Sequence, residues 1–77
     1  MKIDLSEKNI KELHNRCKSQ NKHLYDFLKD EFQDLSVDER LKYLATILND
    51  FIEEYEWNDK DRVKDEGYSI VKFYPKK

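Results

Sequence analysis

Ile10, Leu13 and Cys17 recur at steps of three and four, the spacing that lines one face of an α-helix. Ser6 stands where an N-cap belongs, with a hydroxyl that can accept from a free N–H of the first turn. Leu5 and Ile10 occupy the positions of a hydrophobic staple around it. The stripe lapses over Lys18-Ser19-Gln20-Asn21-Lys22, then resumes as Leu24, Leu28, Phe32 and Leu35 with Phe27 beside it. Two helices are predicted, the second capped by Asn21. The phase is so nearly continuous that one bent helix from Ser6 to Asp34 is the alternative.

Ser36-Val37-Asp38-Glu39 reads as a capping box, Ser36 at N-cap and Glu39 at N3. Asp38 and Glu39 also suit the positive end of the helix dipole. Leu41, Leu44, Ala45, Leu48, Ile52 and Tyr55 follow at helical spacing, and Ile47 and Phe51 widen the stripe. So wide an apolar face predicts a long central helix buried on more than one side.

Beyond it the period changes. Asn58 to Gly67 holds a single apolar residue, Val63, and is expected to be a loop or a frayed end of the central helix, turning at Gly67. Tyr68-Ser69-Ile70-Val71-Lys72-Phe73-Tyr74 is rich in β-branched and aromatic residues and predicts a strand ended by Pro75. The alternation Lys2-Ile3-Asp4-Leu5 predicts a short first strand that pairs with it. The fold class is therefore α+β, mostly α: strand, two helices or one bent helix, long central helix, strand. An isolated strand pair is marginal, so the helices must cover one face, and its free edges could accept a partner's strand.

Composition bounds what such a domain can be. At 77 residues there is room for one domain, residues 1–77, and hardly for a deep catalytic cleft. Charged residues make up 42%, yet 13% aromatics and a net charge of −2 argue for a folded chain. One cysteine precludes an internal disulfide and fits a reducing compartment. With neither a leader pattern nor an apolar run near the ~20 residues of a membrane span, a cytoplasmic protein is expected.

The charge is uneven. Residues 1–25 carry +3, residues 26–67 carry −8 and residues 68–77 carry +3. The acidic density peaks between Asp50 and Glu66, where Glu53, Glu54 and Glu56 surround Tyr55 and Trp57. A solvated helix end explains such a block in bland terms. The sharper reading is a docking surface for a basic partner, made of Asp50, Glu53, Glu54, Glu56, Trp57, Asp59 and Asp61, with the aromatic residues as anchors. Against it stands the general tendency of a lone tryptophan in a small domain to be core.

No catalytic or metal pattern competes with this. His14 and Cys17 lie three apart, but His23 is the only other histidine and a zinc set needs four ligands in paired motifs. Cys17 fits the core stripe better than it fits an activated thiol. Counted from Asp59, a calcium loop would need oxygen, glycine and glutamate where Val63, Lys64 and Ile70 stand. The sole glycine, Gly67, cannot build a phosphate loop. Neither a metal nor a cofactor is expected.

These readings converge on a non-enzymatic module that inhibits or modulates a larger protein, one with a basic or nucleic-acid-binding surface. The abundance of Lys, Asn, Asp, Ile and Tyr suggests an AT-rich coding source, and small acidic chains of this kind recur in phages. The narrow version is thus a phage-type inhibitor of a host defence nuclease. A small DNA-binding regulator using Lys11, Lys18 and Lys22 is the first alternative, weakened by a pI near 5.7. A subunit that self-associates through its terminal strands is the second.

Overall fold

The computed structural model describes residues 3–77, in the order α1 (Glu7–Gln20), α2 (Leu24–Glu31), α3 (Val37–Phe51), a 3-10 turn (Ile52–Glu54), β1 (Tyr55–Asp65) and β2 (Tyr68–Pro75). The protein is α+β, three helices and one antiparallel strand pair. Ser6 caps α1, accepting from the Asn9 N–H, but Leu5 stays 42% exposed, so the expected staple does not bury its first member. α1 and α2 are separate helices. Asn21 adopts the left-handed conformation (φ 54°) and closes α1, its N–H donating to the Cys17 and Lys18 carbonyls. It therefore ends the first helix, and His23 caps the second, Nδ1 accepting from the Asp26 N–H.

The capping box at α3 is complete, with Ser36 and Glu39 each satisfying the other's backbone N–H. Val37, Arg40, Tyr43, Leu44, Ile47 and Leu48 are buried along it; the expected stripe supplies Leu44, Ile47 and Leu48, but its Ala45 and Ile52 are exposed and Leu41 and Phe51 only half-buried. Tyr43, Leu44, Ile47 and Leu48 meet Ile10, Leu13 and Cys17 of α1 and Leu24, Tyr25, Phe27 and Leu28 of α2 in one core. Phe32 stacks on Tyr43 with centroids 5.1 Å apart and closes it beside Leu35.

The sheet differs from expectation in its first member. Residues 3–6 form no strand, and Lys2 lies outside the described residues. Their polar groups are taken by side chains instead. The Asp4 N–H donates to the Tyr43 hydroxyl (3.0 Å), the Ser6 N–H to Asp4 Oδ1 (2.9 Å) and Asn9 Nδ2 to the Asp4 carbonyl (2.6 Å). Asp4 thus leads the chain into a helix cap rather than a ladder. Nor do α3 and a loop fill residues 52 to 66. The α-helix stops at Phe51, and Tyr55 opens β1, the true partner of β2.

Glu66 (φ 46°) and Gly67 (φ 87°) make the two-residue turn, with Asp65 opposite Tyr68. Positive φ at both central residues is the twist that joins right-handed strands most tightly. Between the Trp57–Phe73 and Arg62–Val71 pairs, residues 58 to 61 face only Lys72, so β1 carries a wide bulge there. The strands leave the body at Tyr55 and Pro75, paired and both buried.

Candidate functional site

The residues singled out by charge fall into two structurally different places. Asp50, Glu53 and Glu54 surround the C-terminus of α3, while Glu56, Trp57, Asp59 and Asp61 belong to β1 and its bulge. The first group forms an acidic tip. A shallow depression of about 320 Å³ opens there, lined by Asn49, Asp50, Phe51, Ile52, Glu53 and Glu54. The helix places its free carbonyls at this end, equivalent to a partial negative charge. The last turn of α3 contains no basic residue. Acidic side chains are thus gathered where the helix dipole opposes them.

Only one is held in place. Glu54 takes Lys18 Nζ on one oxygen (2.9 Å) and His14 Nε2 on the other (3.1 Å), and the lysine holds its carboxyl below the usual range. His14 is buried and stacks on Phe51, rings 4.1 Å apart and nearly parallel. Because an ionised carboxylate only accepts, Nε2–H donates to Glu54, and Nδ1 accepts from the Tyr55 hydroxyl at 2.9 Å. Burial outweighs Glu54 and lowers the His14 pKa, so the ring is neutral. Asp50 and Glu53 are exposed and have no ion-pair partner among the described residues.

Tyr55, an anchor of the docking surface on the sequence reading, is fully buried and cannot serve as one. It begins a strand that leaves from the core rather than continuing the central helix. Trp57 is 50% exposed, its ring tilted against Phe73 with centroids 5.6 Å apart. Asp61 pairs with Lys72 across the bulge (3.5 Å), and the Asp59 carbonyl accepts from Arg62 Nε (2.7 Å). Asn58 Oδ1 accepts from the Lys60 N–H. These contacts occupy backbone groups along the bulge, a device that blunts an edge against strand addition.

Lys11 is exposed on α1, Lys18 is committed to Glu54, and Lys22, beyond the helix, pairs with Asp30 at 2.7 Å. Arg16 pairs with Glu31. Cys17 is buried, and burial raises its thiol to about 11, so it is protonated at neutral pH; Sγ–H donates to the Lys22 carbonyl. Among the described residues no cluster of three or more His, Cys, Asp or Glu is arranged to hold a metal, and no helix is long and apolar enough to cross a membrane.

Sequence reasoning missed two polar clusters. One is the His14–Glu54–Tyr55 chain. Its only signal is that His14 falls on the buried stripe four residues after Ile10. The other joins the hairpin to the helices: Asp65 Oδ2 accepts from the Tyr25 hydroxyl (2.5 Å) and lies 3.5 Å from Lys29 Nζ and 3.7 Å from Arg40 Nη1. No sequence spacing connects residues 40 apart. No protein-family model, curated protein or solved structure matches the chain.

Proposed function

We propose that the protein is a non-enzymatic binding module that modulates a larger protein by presenting the acidic tip of α3 to a basic surface. The observation that carries this reading is the placement of Asp50, Glu53 and Glu54 at the negative end of α3 with no base in its last turn. A stability-driven sequence would put lysine or arginine there. Retaining carboxylates against the dipole is the local conflict expected where a surface is kept for a partner. Ile52, 38% exposed between the acids, adds an apolar contact, and the field of the tip would speed association with a cationic face. A nucleic-acid-binding protein offers such a face, and the phage-type inhibitor of a defence nuclease is the narrow form of the proposal.

The test pairs binding with stability. Asp50→Lys and Glu53→Lys together should raise stability by roughly 0.3–1 kcal/mol per site, because they complement the dipole. In co-purification from source-cell lysate, the same variant should lose a stoichiometric, salt-sensitive protein that the parent retains. A partner held equally by both proteins would dismiss the tip as the contact. Recovery of DNA alone, lost when Lys11 is replaced, would favour the regulator instead.

A further inference from the structure

The pairing register separates side chains that the sequence runs together. Along β2, Ser69, Val71 and Phe73 share one face and Tyr68, Ile70, Lys72 and Tyr74 the other, because side chains alternate along a strand. The second set turns toward the helices: Ile70 is buried, the Tyr68 hydroxyl reaches Asp38 (2.8 Å) and Tyr74 meets His23 edge-on at 5.8 Å. Ser69 and Val71 therefore turn outward with their cross-strand partners Lys64 and Arg62, while Phe73, nearer the base, packs partly against the core and leaves its partner Trp57 half exposed. Trp57 thus parts from Glu56, whose partner Tyr74 lies on the inner side.

Beyond the buried Tyr55–Pro75 pair, the paired positions of this outward face hold no acidic residue. Arg62 and Lys64 have no ion-pair partner among the described residues; Arg62 spends only Nε, on a carbonyl. Residues 55–77 carry six basic and five acidic side chains, so the hairpin is +1 within a chain of −2. The Arg62 and Lys64 pairs succeed the Trp57–Phe73 pair at two and four residues along β2, roughly 7 and 13 Å. An exposed ring with two cations beyond the bulge, where Asp61 is paired with Lys72 and Asp59 is exposed, offers the elements that take up single-stranded nucleic acid, a base stacking on the ring while the backbone meets the charges. An acidic peptide would answer the cations but lay nothing flat on the indole.

We infer that the outward face of the hairpin binds single-stranded nucleic acid, with a base stacked on Trp57 and phosphates on Arg62 and Lys64. This surface is separate from the acidic tip and does not depend on the tip's role. Trp57 is the only tryptophan, so its fluorescence reports the contact directly. Titration of the whole protein with a short oligodeoxythymidylate at low salt should quench that emission to saturation. Two phosphate contacts predict a slope of log K against log salt of about −1.4. By anisotropy of an end-labelled oligonucleotide, Trp57→Ala should weaken binding roughly five- to hundredfold, while Trp57→Phe, which keeps a ring, should lose much less. Arg62→Glu with Lys64→Glu should abolish binding with the helical circular dichroism intact. Absence of quenching at low salt, or binding indifferent to Trp57→Ala, overturns the inference. Equal quenching by oligoglutamate overturns it too, and makes the face a site for acidic peptides.

Discussion

His14 and His23 are both buried, and burial lowers the pKa of each below 6.5 despite a neighbouring carboxylate. The unfolded chain takes up these protons first as the pH falls. The stability the neutral rings contribute is therefore fully present above pH 6.5 and is lost as the pH drops through 6.5 toward their folded values. Asp30, Glu39, Glu54 and Asp65 are displaced downward by their partners, so a second loss of the same sign follows as the pH falls below their ordinary values of 3.8–4.5. The urea midpoint should fall between about pH 7.5 and 5.5, and His23→Asn, which keeps an N-cap acceptor without a titrating ring, should flatten the fall. A midpoint constant over that range would mean that neither ring is held neutral. Residues whose role is local were legible in the sequence: Ser6, Ser36 and Cys17 stand where spacing puts them. His14 was not, because its partners arrive 40 and 41 residues later.

At the scale of elements, helices are legible and the hairpin only half so. α2 and α3 follow a 3.6-residue period, and the break at Asn21 coincides with the lapse in apolar residues. β2 is apolar enough to declare itself. β1 is not: among residues 58 to 66 only Val63 is apolar, since most of that strand faces water and its bulge breaks any alternation. Residues 3–5 do not pair with β2 as expected for the same reason, because the better partner was hidden in a charged stretch. Gly67 was read correctly as a turn, but Glu66 before it carries no signal. A glutamate at φ 46° pays the steric penalty of the left-handed region, which asparagine tolerates better. Glu66→Asn creates the Asn-Gly pair that two-residue hairpins favour and should raise the urea midpoint. Gly67→Ala, at φ 87°, should lower it even though the space around Gly67 is open, since the strain lies in the backbone. Equal midpoints for the two variants would show that the turn does not limit hairpin stability.

The molecule as a whole is a helical body with a hairpin clamped to it at both ends. At the base the clamp is apolar, Tyr55 and Pro75 being buried. Near the turn it combines Ile70 and Val63 with Asp65, which faces Arg40 and Lys29 and takes the Tyr25 hydroxyl. Arg40 is nine-tenths buried and its Nε has no hydrogen-bond partner, so Asp65 is the charge that compensates it. Removing a carboxylate from such a pair leaves the other charge buried and unanswered, whereas removing both is far milder. A strand pair without support is marginal, so the turn end should open first. Asp65→Ala should therefore reduce hydrogen-exchange protection in Val63, Lys64, Ile70 and Val71 well before the amides of α1 and α3 respond. Asp65→Ala with Arg40→Met should recover most of it. If protection falls uniformly through helices and hairpin, the two are one cooperative unit and the clamp is not local. Partial opening at the turn would also carry Arg62 and Lys64 away from the body while the acidic tip, on α3, stays fixed. The two charged surfaces of this small domain are then free to move independently, joined only through the buried base of the hairpin.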